Sequence, residues 1–415
     1  MAEDDCERTA VNHGPLTPCE RPVKPFLIAW CLYLIVLELY GVVFLKSYLS
    51  AHHPFDFQSF YVAEYLARTN PAHLYDMAQQ AQFQRGFASN TFFLPFYHPS
   101  YEPFLLSPLS LLSFRSSYFV SIAFNLLLLL AAFFVARPAF SSPVRWLQPR
   151  PGLMLFVFIP VVNALVFGQD SVLSLLLYCL AWRQLEAGND KSAGFFLALA
   201  LFKFQIVLPV AAFIAIRKGW RFTNGFLLTA LGVVMFSVAI VGRSGTTDYI
   251  RVLMESGASM GQSRLAMLKV GVSPLGMPNL AGLLYACVGQ FLHSPMAFRA
   301  LCVICSLALF AWCTRAARNM ELRVIFAVAV LCGLLVSFHL FFYDLTLILL
   351  PIALLGSRIN RYVLLSLFGL PLLVDTFELL PSFIMVIPIL LVLVPVLVSH
   401  TQAAARSHTA CAGES

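Results

Sequence analysis

Residues 115–137 read RSSYFVSIAFNLLLLLAAFFVAR, an apolar run with an arginine at each end. A helix needs about 20 mainly apolar residues to cross a bilayer, so this run predicts a transmembrane helix. Similar runs recur along the chain, which is 60% hydrophobic and only 11% charged. Soluble domains carry about 25% charged residues. The sequence therefore predicts an all-α polytopic membrane protein.

Hydropathy predicts about twelve crossings in all. They lie near 26–46, 115–137, 151–168, 171–187, 192–203, 204–217, 221–242, 296–316, 322–340, 343–357, 359–375 and 381–400. The two short runs on either side of Lys203 predict broken helices or half-spans rather than two full spans.

The placement of Lys and Arg orients these crossings. With the N-terminus inside, the short inside segments hold most of the basic residues, as the positive-inside rule requires. Two long segments, 47–114 and 243–295, then lie outside. Within them, 95–113 and 278–292 are too short or too rich in proline to cross, so we expect helices at the outer interface.

The chain ends are polar. We expect residues 1–25 to form a disordered cytosolic tail with no cleaved signal peptide, and residues 401–415 to form a second cytosolic tail. Residues 26–400 would form one domain in the cell membrane. The pair Cys302 and Cys305 has no second pair or nearby histidine, so zinc is not expected.

The first outer loop opens with Pro-Phe-Asp-Phe-Gln-Ser-Phe-Tyr at 54–61. Amphipathic patterns predict helices at 57–68 and 77–87, with Asp56 and Asp76 at their N-caps. Asp56 has a second interpretation. A carboxylate among aromatic side chains at the membrane interface has a raised pKa, which suits a general base acting on a hydroxyl group.

A second polar group follows a later apolar run, at Ser337-Phe-His-Leu-Phe-Phe-Tyr-Asp344. His339 and Tyr343 would share a face if a helix continued through both. His339 is either a core residue with a hydrogen-bond partner or a phosphate ligand and proton shuttle. Asp344 would orient it or cap the next helix.

Basic residues outside the predicted cytosolic segments suggest an anionic ligand. Lys203 either snorkels to the interface or contacts a phosphate group. Outer residues Arg251 and Arg264 run against the positive-inside trend and would suit a lipid phosphate, or be solvated surface charges. Gln169, at an outer turn, is a weaker candidate.

The sequence contains no Gly-rich phosphate loop, HExxH or GxSxG motif. A site for a soluble nucleotide sugar is thus unsupported, and a donor delivered within the membrane is favoured.

Several short motifs occur in a characteristic order between about residues 26 and 357. They are Asp-Phe-x-x-Phe-Tyr-x-Ala (56–63), Leu-Tyr-Asp (74–76), His-Pro-x-Tyr-Glu (98–102), Ser-Pro-Leu-Ser (107–110), Phe-Gly-Gln (167–169), Phe-Lys-Phe-Gln (202–205), Met-Pro-Asn-Leu-x-Gly (277–282) and His-x-x-x-Tyr-Asp-Leu (339–345). This set resembles glycosyltransferase family 87, the polyprenyl-phosphate-mannose-dependent α-mannosyltransferases of the C-type membrane fold (GT-C). Phe204 and Ser100 stand where such enzymes commonly have proline.

The resemblance implies a GT-C-like helical bundle and roles for individual residues. Asp56 and His339 would be catalytic. Donor or phosphate contacts would come from Lys203, Gln205, Gln169, Arg251, Arg264 and Tyr343. Residues that bind the acceptor or serve the structure would be Asp76, His98, Glu102, Asn279 and Asp344.

We therefore expect an inverting hexosyltransferase that moves a sugar, with mannose the first candidate, from a polyprenyl-phosphate donor to a lipid or glycan hydroxyl. Its partners would be membrane lipids and these substrates, with no nucleic acid. Beyond Asp56, Asp76 and Glu102 the first loop offers few acidic ligands, so no cofactor or divalent metal is expected. The alternatives are a lipid-linked glycan polymerase or ligase, a catalytically inactive lipid-binding protein, and a secondary transporter with an Asp/Lys/His relay.

Overall fold

The computed structural model describes residues 56–87, 93–141, 158–258, 274–292, 294–376 and 378–398. Within these ranges the chain is helical and contains no strand, which confirms the all-α class. Both predicted tails and the predicted first crossing at 26–46 lie outside the described residues.

We number the helices in chain order. They are α1 Phe57–Thr69, α2 Met77–Phe87, α3 Tyr101–Leu106, α4 Phe114–Ala136, α5 Ile159–Val166, α6 Ser171–Glu186, α7 Asp190–Leu199, α8 Phe204–Lys218, α9 Trp220–Ala258, α10 Leu280–Cys287, α11 Pro295–Ala316, α12 Leu322–Val336, α13 Leu349–Leu355, α14 Arg361–Pro371 and α15 Ser382–Val398. Gly242, with φ +66°, interrupts the helical geometry inside α9.

Three helices in the described part are long and apolar enough to cross a membrane: α4, α9 and α11. The chain is therefore a membrane protein. Helices α7 and α8 pass the same test as a pair, with a bend of 64° between them, so the predicted break at Lys203 is confirmed; the pair is either a broken span or a re-entrant loop. The other apolar helices are shorter, and about twelve full crossings is not confirmed.

The interior of the bundle is one continuous apolar core that runs from Tyr101 to Leu397. Helices α4, α9 and α11 contribute little to it: only 11% of the most apolar window of α11 is buried inside the protein. Their outward side chains are nevertheless apolar, as Leu127 and Leu307 illustrate. A surface of this composition suits contact with lipid rather than water.

The outer region begins with α1 and α2, which closely match the predicted helices. Asn70 ends α1, as expected for a residue before proline. Helix α1 packs against the 3₁₀ turn Ser107–Leu111, and the Tyr61 hydroxyl donates to the Leu112 carbonyl oxygen at 2.8 Å. This packing places the start of α1 against the bundle.

Helix α3 and the 3₁₀ turn after it occupy the segment for which we predicted an interface helix. The segment is too short to cross, and it exposes Phe104, Leu105 and Leu111. Exposed apolar side chains on a short outer helix suit the membrane interface.

Candidate active site

Asp56 stands directly before α1, but its side chain makes no cap hydrogen bond. It accepts instead from Gln169 Nε2, at 2.6 Å, and from the Tyr343 hydroxyl. Burial raises the pKa of Asp56 to about 6, against the opposing effects of these two hydrogen bonds and of the Lys203 charge. The N-cap role considered for this side chain is therefore absent, while the raised pKa agrees with the prediction.

Gly168 explains how Gln169 reaches Asp56 from another part of the chain. Its φ is +67°, and an added Cβ would lie 2.7 Å from Cδ2 of Phe57. Only glycine accepts this conformation and this contact together. The turn between α5 and α6 can therefore lie against the first residue of α1, which brings the Gln169 amide to the Asp56 carboxyl group.

Lys203 lies at the break between α7 and α8 and is buried. Its Nζ is 2.8 Å from Oδ1 of Asp170 and 2.6 Å from Oδ1 of Asp344. This ammonium group is held by two carboxylates, an arrangement that neither the snorkelling nor the phosphate interpretation anticipated. Gln205 follows on the first turn of α8 and is half-buried.

His98 extends this set of charges on the other side of Asp170. Its Nδ1 is 2.7 Å from Glu102 Oε2 and 3.2 Å from Asp170 Oδ2. We call His98, Glu102, Asp170, Lys203 and Asp344 the ion cluster. Donor atoms of its first three members lie within 4.8 Å of one another, close enough to share a metal ion, but here they pair with each other.

The charges of the ion cluster set the pKa values of its outer members. Burial opposes the charge on His98, but Glu102 and Asp170 together raise its pKa to about 10. Burial raises the pKa of Glu102 to about 8, with His98 opposing the shift. Burial acts the same way on Asp170, yet Lys203 and His98 bring its pKa below the usual range. Asp170 is thus an ionised carboxylate whose charge is balanced by Lys203 and His98.

Helix α2 and the turn before it fix the segment that carries His98. Gln80 Oε1 accepts from the Phe96 backbone N–H at 2.8 Å, and the Tyr75 hydroxyl donates to the His98 carbonyl oxygen at 2.7 Å. These bonds replace the secondary structure that residues 93–98 lack.

His339 lies between α12, which ends at Val336, and the 3₁₀ helix Phe342–Ile348. The helix does not continue through His339 and Tyr343, so they do not share a helix face. They meet through Tyr97 instead: its hydroxyl is 3.5 Å from His339 Nε2, and the Tyr97 side chain also lies close to Asp56 and Tyr343. We call Asp56, Gln169, Tyr343 and Tyr97 the Asp56 pocket.

Asp344 caps that 3₁₀ helix, since its Oδ2 accepts from the Phe341 backbone N–H at 3.0 Å. Its Oδ1 also accepts from the Ser171 hydroxyl, in addition to Lys203. Of the two roles considered, the cap is confirmed.

Asn279 has a structural role. Its side chain accepts from the Gly282 backbone N–H at 3.0 Å, which caps α10, and donates to the Ser337 carbonyl oxygen at 2.7 Å. It therefore ties α10 to the end of α12, two residues before His339.

Two further candidates lie at the surface. Asp76 caps α2 by accepting from the backbone N–H of Ala78 at 2.9 Å, as predicted. Arg251 is exposed and pairs with Asp248 at 2.9 Å on the same helix. Arg264 lies outside the described residues.

Comparison with known proteins decides the class. The sequence model of glycosyltransferase family 87 matches residues 96–341, more than half of the chain. The chain belongs to glycosyltransferase family 87. No curated protein and no solved structure matched. The protein is therefore a membrane glycosyltransferase, which takes a sugar donor and an acceptor.

The matched range contains most of the ion cluster and His339, but it begins after Asp56. The assignment of Asp56 in this family 87 member consequently rests on its geometry and on the motif at 56–63.

Three residues described above were not singled out from the sequence: Asp170, Tyr97 and Glu64. Asp170 directly follows Gln169 in the same turn. Tyr97 had no pattern to mark it. Glu64 looks like a solvated charge on α1, yet it is buried, and its spacing from Phe57, Phe60 and Tyr61 places it on the buried face. That spacing was the signal that could have identified it.

Proposed function

We propose that this family 87 member is an inverting transferase that moves a hexose, with mannose the first candidate, from a polyprenyl-phosphate sugar to a lipid or glycan hydroxyl. Asp56 is the general base. The observation that supports this role is a buried carboxyl group directly before α1 whose hydrogen-bond partners, Gln169 and Tyr343, are neutral.

Neutral partners orient the carboxylate without neutralising it. With a pKa of about 6, Asp56 is ionised at neutral pH and remains basic enough to accept a proton. In the transfer, the acceptor oxygen forms a bond to the anomeric carbon as the bond from that carbon to the phosphate oxygen breaks. The hydroxyl proton passes to Asp56, and polyprenyl phosphate leaves from the opposite face, which inverts the anomeric configuration.

The leaving phosphate needs donors or positive charge. Lys203 is held by Asp170 and Asp344, so we give it a positioning role: its Nζ lies 5.1 Å from the ring centroid of Tyr343, a hydrogen-bond partner of Asp56. We propose that His339 donates a hydrogen bond to the leaving phosphate. A phosphate contact by Arg264 stays a prediction.

The site would face the outer side of the cell membrane, with both termini in the cytosol. The lipid donor would enter sideways from the bilayer, past the exposed apolar side chains of α3. The transfer itself needs no metal ion in this proposal.

The transporter alternative shares one observation, a broken helix pair with a buried ion pair. Family membership favours the transferase. Uptake of labelled sugar by proteoliposomes, without formation of a glycosylated product, would reverse this preference.

The deciding experiment incubates the purified protein with labelled polyprenyl-phosphate mannose, and separately with other polyprenyl-phosphate sugars, in the presence of a membrane lipid extract. We expect label to move to a lipid or glycan acceptor, and NMR of the product to show inversion. Products extended by several sugars would indicate a lipid-linked polymerase. Absence of transfer from every polyprenyl-phosphate donor would contradict the proposal.

A further inference from the structure

A small cavity lies beside the ion cluster, between α1, α3, α4 and the start of α6. Its polar lining comes from Glu64, Glu102, Gln169, Asp170 and the α4 residues Ser121 and Asn125. It has room for about one or two water-sized particles, too little for a sugar ring.

Two of the carboxyl groups that line this cavity have oxygens without partners. Glu64 Oε2 and Glu102 Oε1 are buried, and neither has a hydrogen-bond partner within the described ranges. An unpaired buried carboxylate oxygen is costly, so such oxygens are expected to face a ligand. Asp170 is different, since Lys203 and His98 already hold it.

The charge balance points the same way. Around the cavity and in the ion cluster, the buried carboxyl groups are Glu64, Glu102, Asp170 and Asp344, and the buried bases are His98 and Lys203. With all six groups ionised, Glu64 and the ion cluster together carry two negative charges in excess. Either bound protons or a cation with two positive charges would restore neutrality.

We infer that the cavity is a binding site for a hard divalent cation, with Glu64 and Glu102 as its protein ligands. Oxygen ligands select Mg²⁺, Mn²⁺ or Ca²⁺ over the softer metals. Ser121 and Asn125 can complete the shell directly or through water: Asn125 spends its Nδ2 on the Ser121 carbonyl oxygen, which leaves Oδ1 as an acceptor.

This ion would fasten α1 to α3 and α4. The proposal gives it no part in the transfer step, because its ligands Glu64 and Glu102 are not hydrogen-bond partners of Asp56. The metal-free transfer proposed above is therefore a separate claim, and the two can fail independently.

The test uses the full-length protein, treated with EDTA and returned to chelator-free buffer. We expect the wild type to bind one Mn²⁺ per chain, counted by elemental analysis. We also expect Mn²⁺, Mg²⁺ or Ca²⁺ to raise the midpoint of thermal unfolding. Glu64→Gln and Glu102→Gln each keep the side-chain size, and each should weaken Mn²⁺ binding at least tenfold.

Glu321→Gln is the matched control, because Glu321 is an exposed carboxylate that pairs with Arg358; it should bind Mn²⁺ as the wild type does. If the wild type binds no Mn²⁺ at millimolar concentration, the inference is wrong and bound protons neutralise the cavity. Equal binding by the wild type and Glu64→Gln would also overturn it. The wild-type count decides even if a variant does not fold.

Discussion

The carboxyl groups of Asp56 in the Asp56 pocket and of Asp170 in the ion cluster are both buried, but their surroundings shift their pKa values in opposite directions. Asp170 lies between Lys203 and His98, which hold its pKa below the usual range. Asp56 receives hydrogen bonds from an amide and a phenol, and burial raises its pKa to about 6. Ion pairs lower the pKa of a carboxyl group and so make it a weaker base, whereas neutral donors orient it and leave it able to accept a proton.

The largest expected effect comes from removing the base. Asp56→Asn keeps the shape of the side chain but cannot accept the acceptor's proton, so we expect kcat to fall by about 10²–10⁴-fold. Product formation by the purified variant measures this loss. Asp76→Asn is the control, because asparagine caps a helix about as well as aspartate. Near-normal turnover by Asp56→Asn would remove Asp56 from the mechanism.

The same variant separates chemistry from folding. The pKa of Asp56 is higher in the folded chain than in the unfolded chain, so its contribution to stability is present at low pH and is lost as pH rises through about 6. Asp56→Asn should therefore be no less stable than the wild type at pH 7.5, as thermal unfolding can show.

In the ion cluster the expected effect is on stability. Lys203→Met leaves Asp170 and Asp344 without their shared cation, and breaking a buried ion pair in this way costs about 3–5 kcal/mol. Denaturant unfolding in detergent measures the free energy of unfolding. Lys218→Met removes a more exposed pair, with Asp190 at 3.1 Å, and should cost less than about 1 kcal/mol. Equal costs would mean that the two pairs do not differ as described.

The pH profile tests the neutral hydrogen bonds of the Asp56 pocket. We expect kcat to fall as pH drops through about 6, since a protonated Asp56 cannot act as base. A hydrogen bond to a charged group is worth about 1.5–3 kcal/mol, and one pKa unit is about 1.4 kcal/mol. Gln169→Leu should thus move this fall upward by about one to two pH units. Tyr343→Phe should move it in the same direction, and an unmoved profile in both variants would contradict the geometry.

The smallest effect is expected at the turn that joins the two regions. Gly168→Ala requires alanine at φ +67°, which costs about 1–2 kcal/mol, and also pushes its Cβ into Phe57. Gly188→Ala is the matched control, because its φ is +77° and no atom lies within 4 Å of the added Cβ. A larger loss of stability and of kcat at Gly168 would isolate the contact with Phe57.

The sequence predicted the parts of this site that depend on local pattern. Helices α1 and α2 and the break at Lys203 follow from periodicity and span length, and Asp56 was singled out as an isolated charge whose catalytic role stays a prediction. The partners of these residues could not be predicted in the same way. Gln169 meets Asp56 across 113 positions of sequence, and the direction of the Lys203 side chain depends on how the bundle packs. Glu64 was missed because a charge on an amphipathic helix is usually solvated.

The two hydrogen bonds of the Asn279 side chain affect how mutational scanning of this protein should be interpreted. One amide both starts α10 and holds the backbone of Ser337, just upstream of His339. Replacing it would loosen two helix ends together and displace the imidazole without any contact with a sugar. A dead Asn279 variant would thus reveal scaffolding rather than substrate recognition.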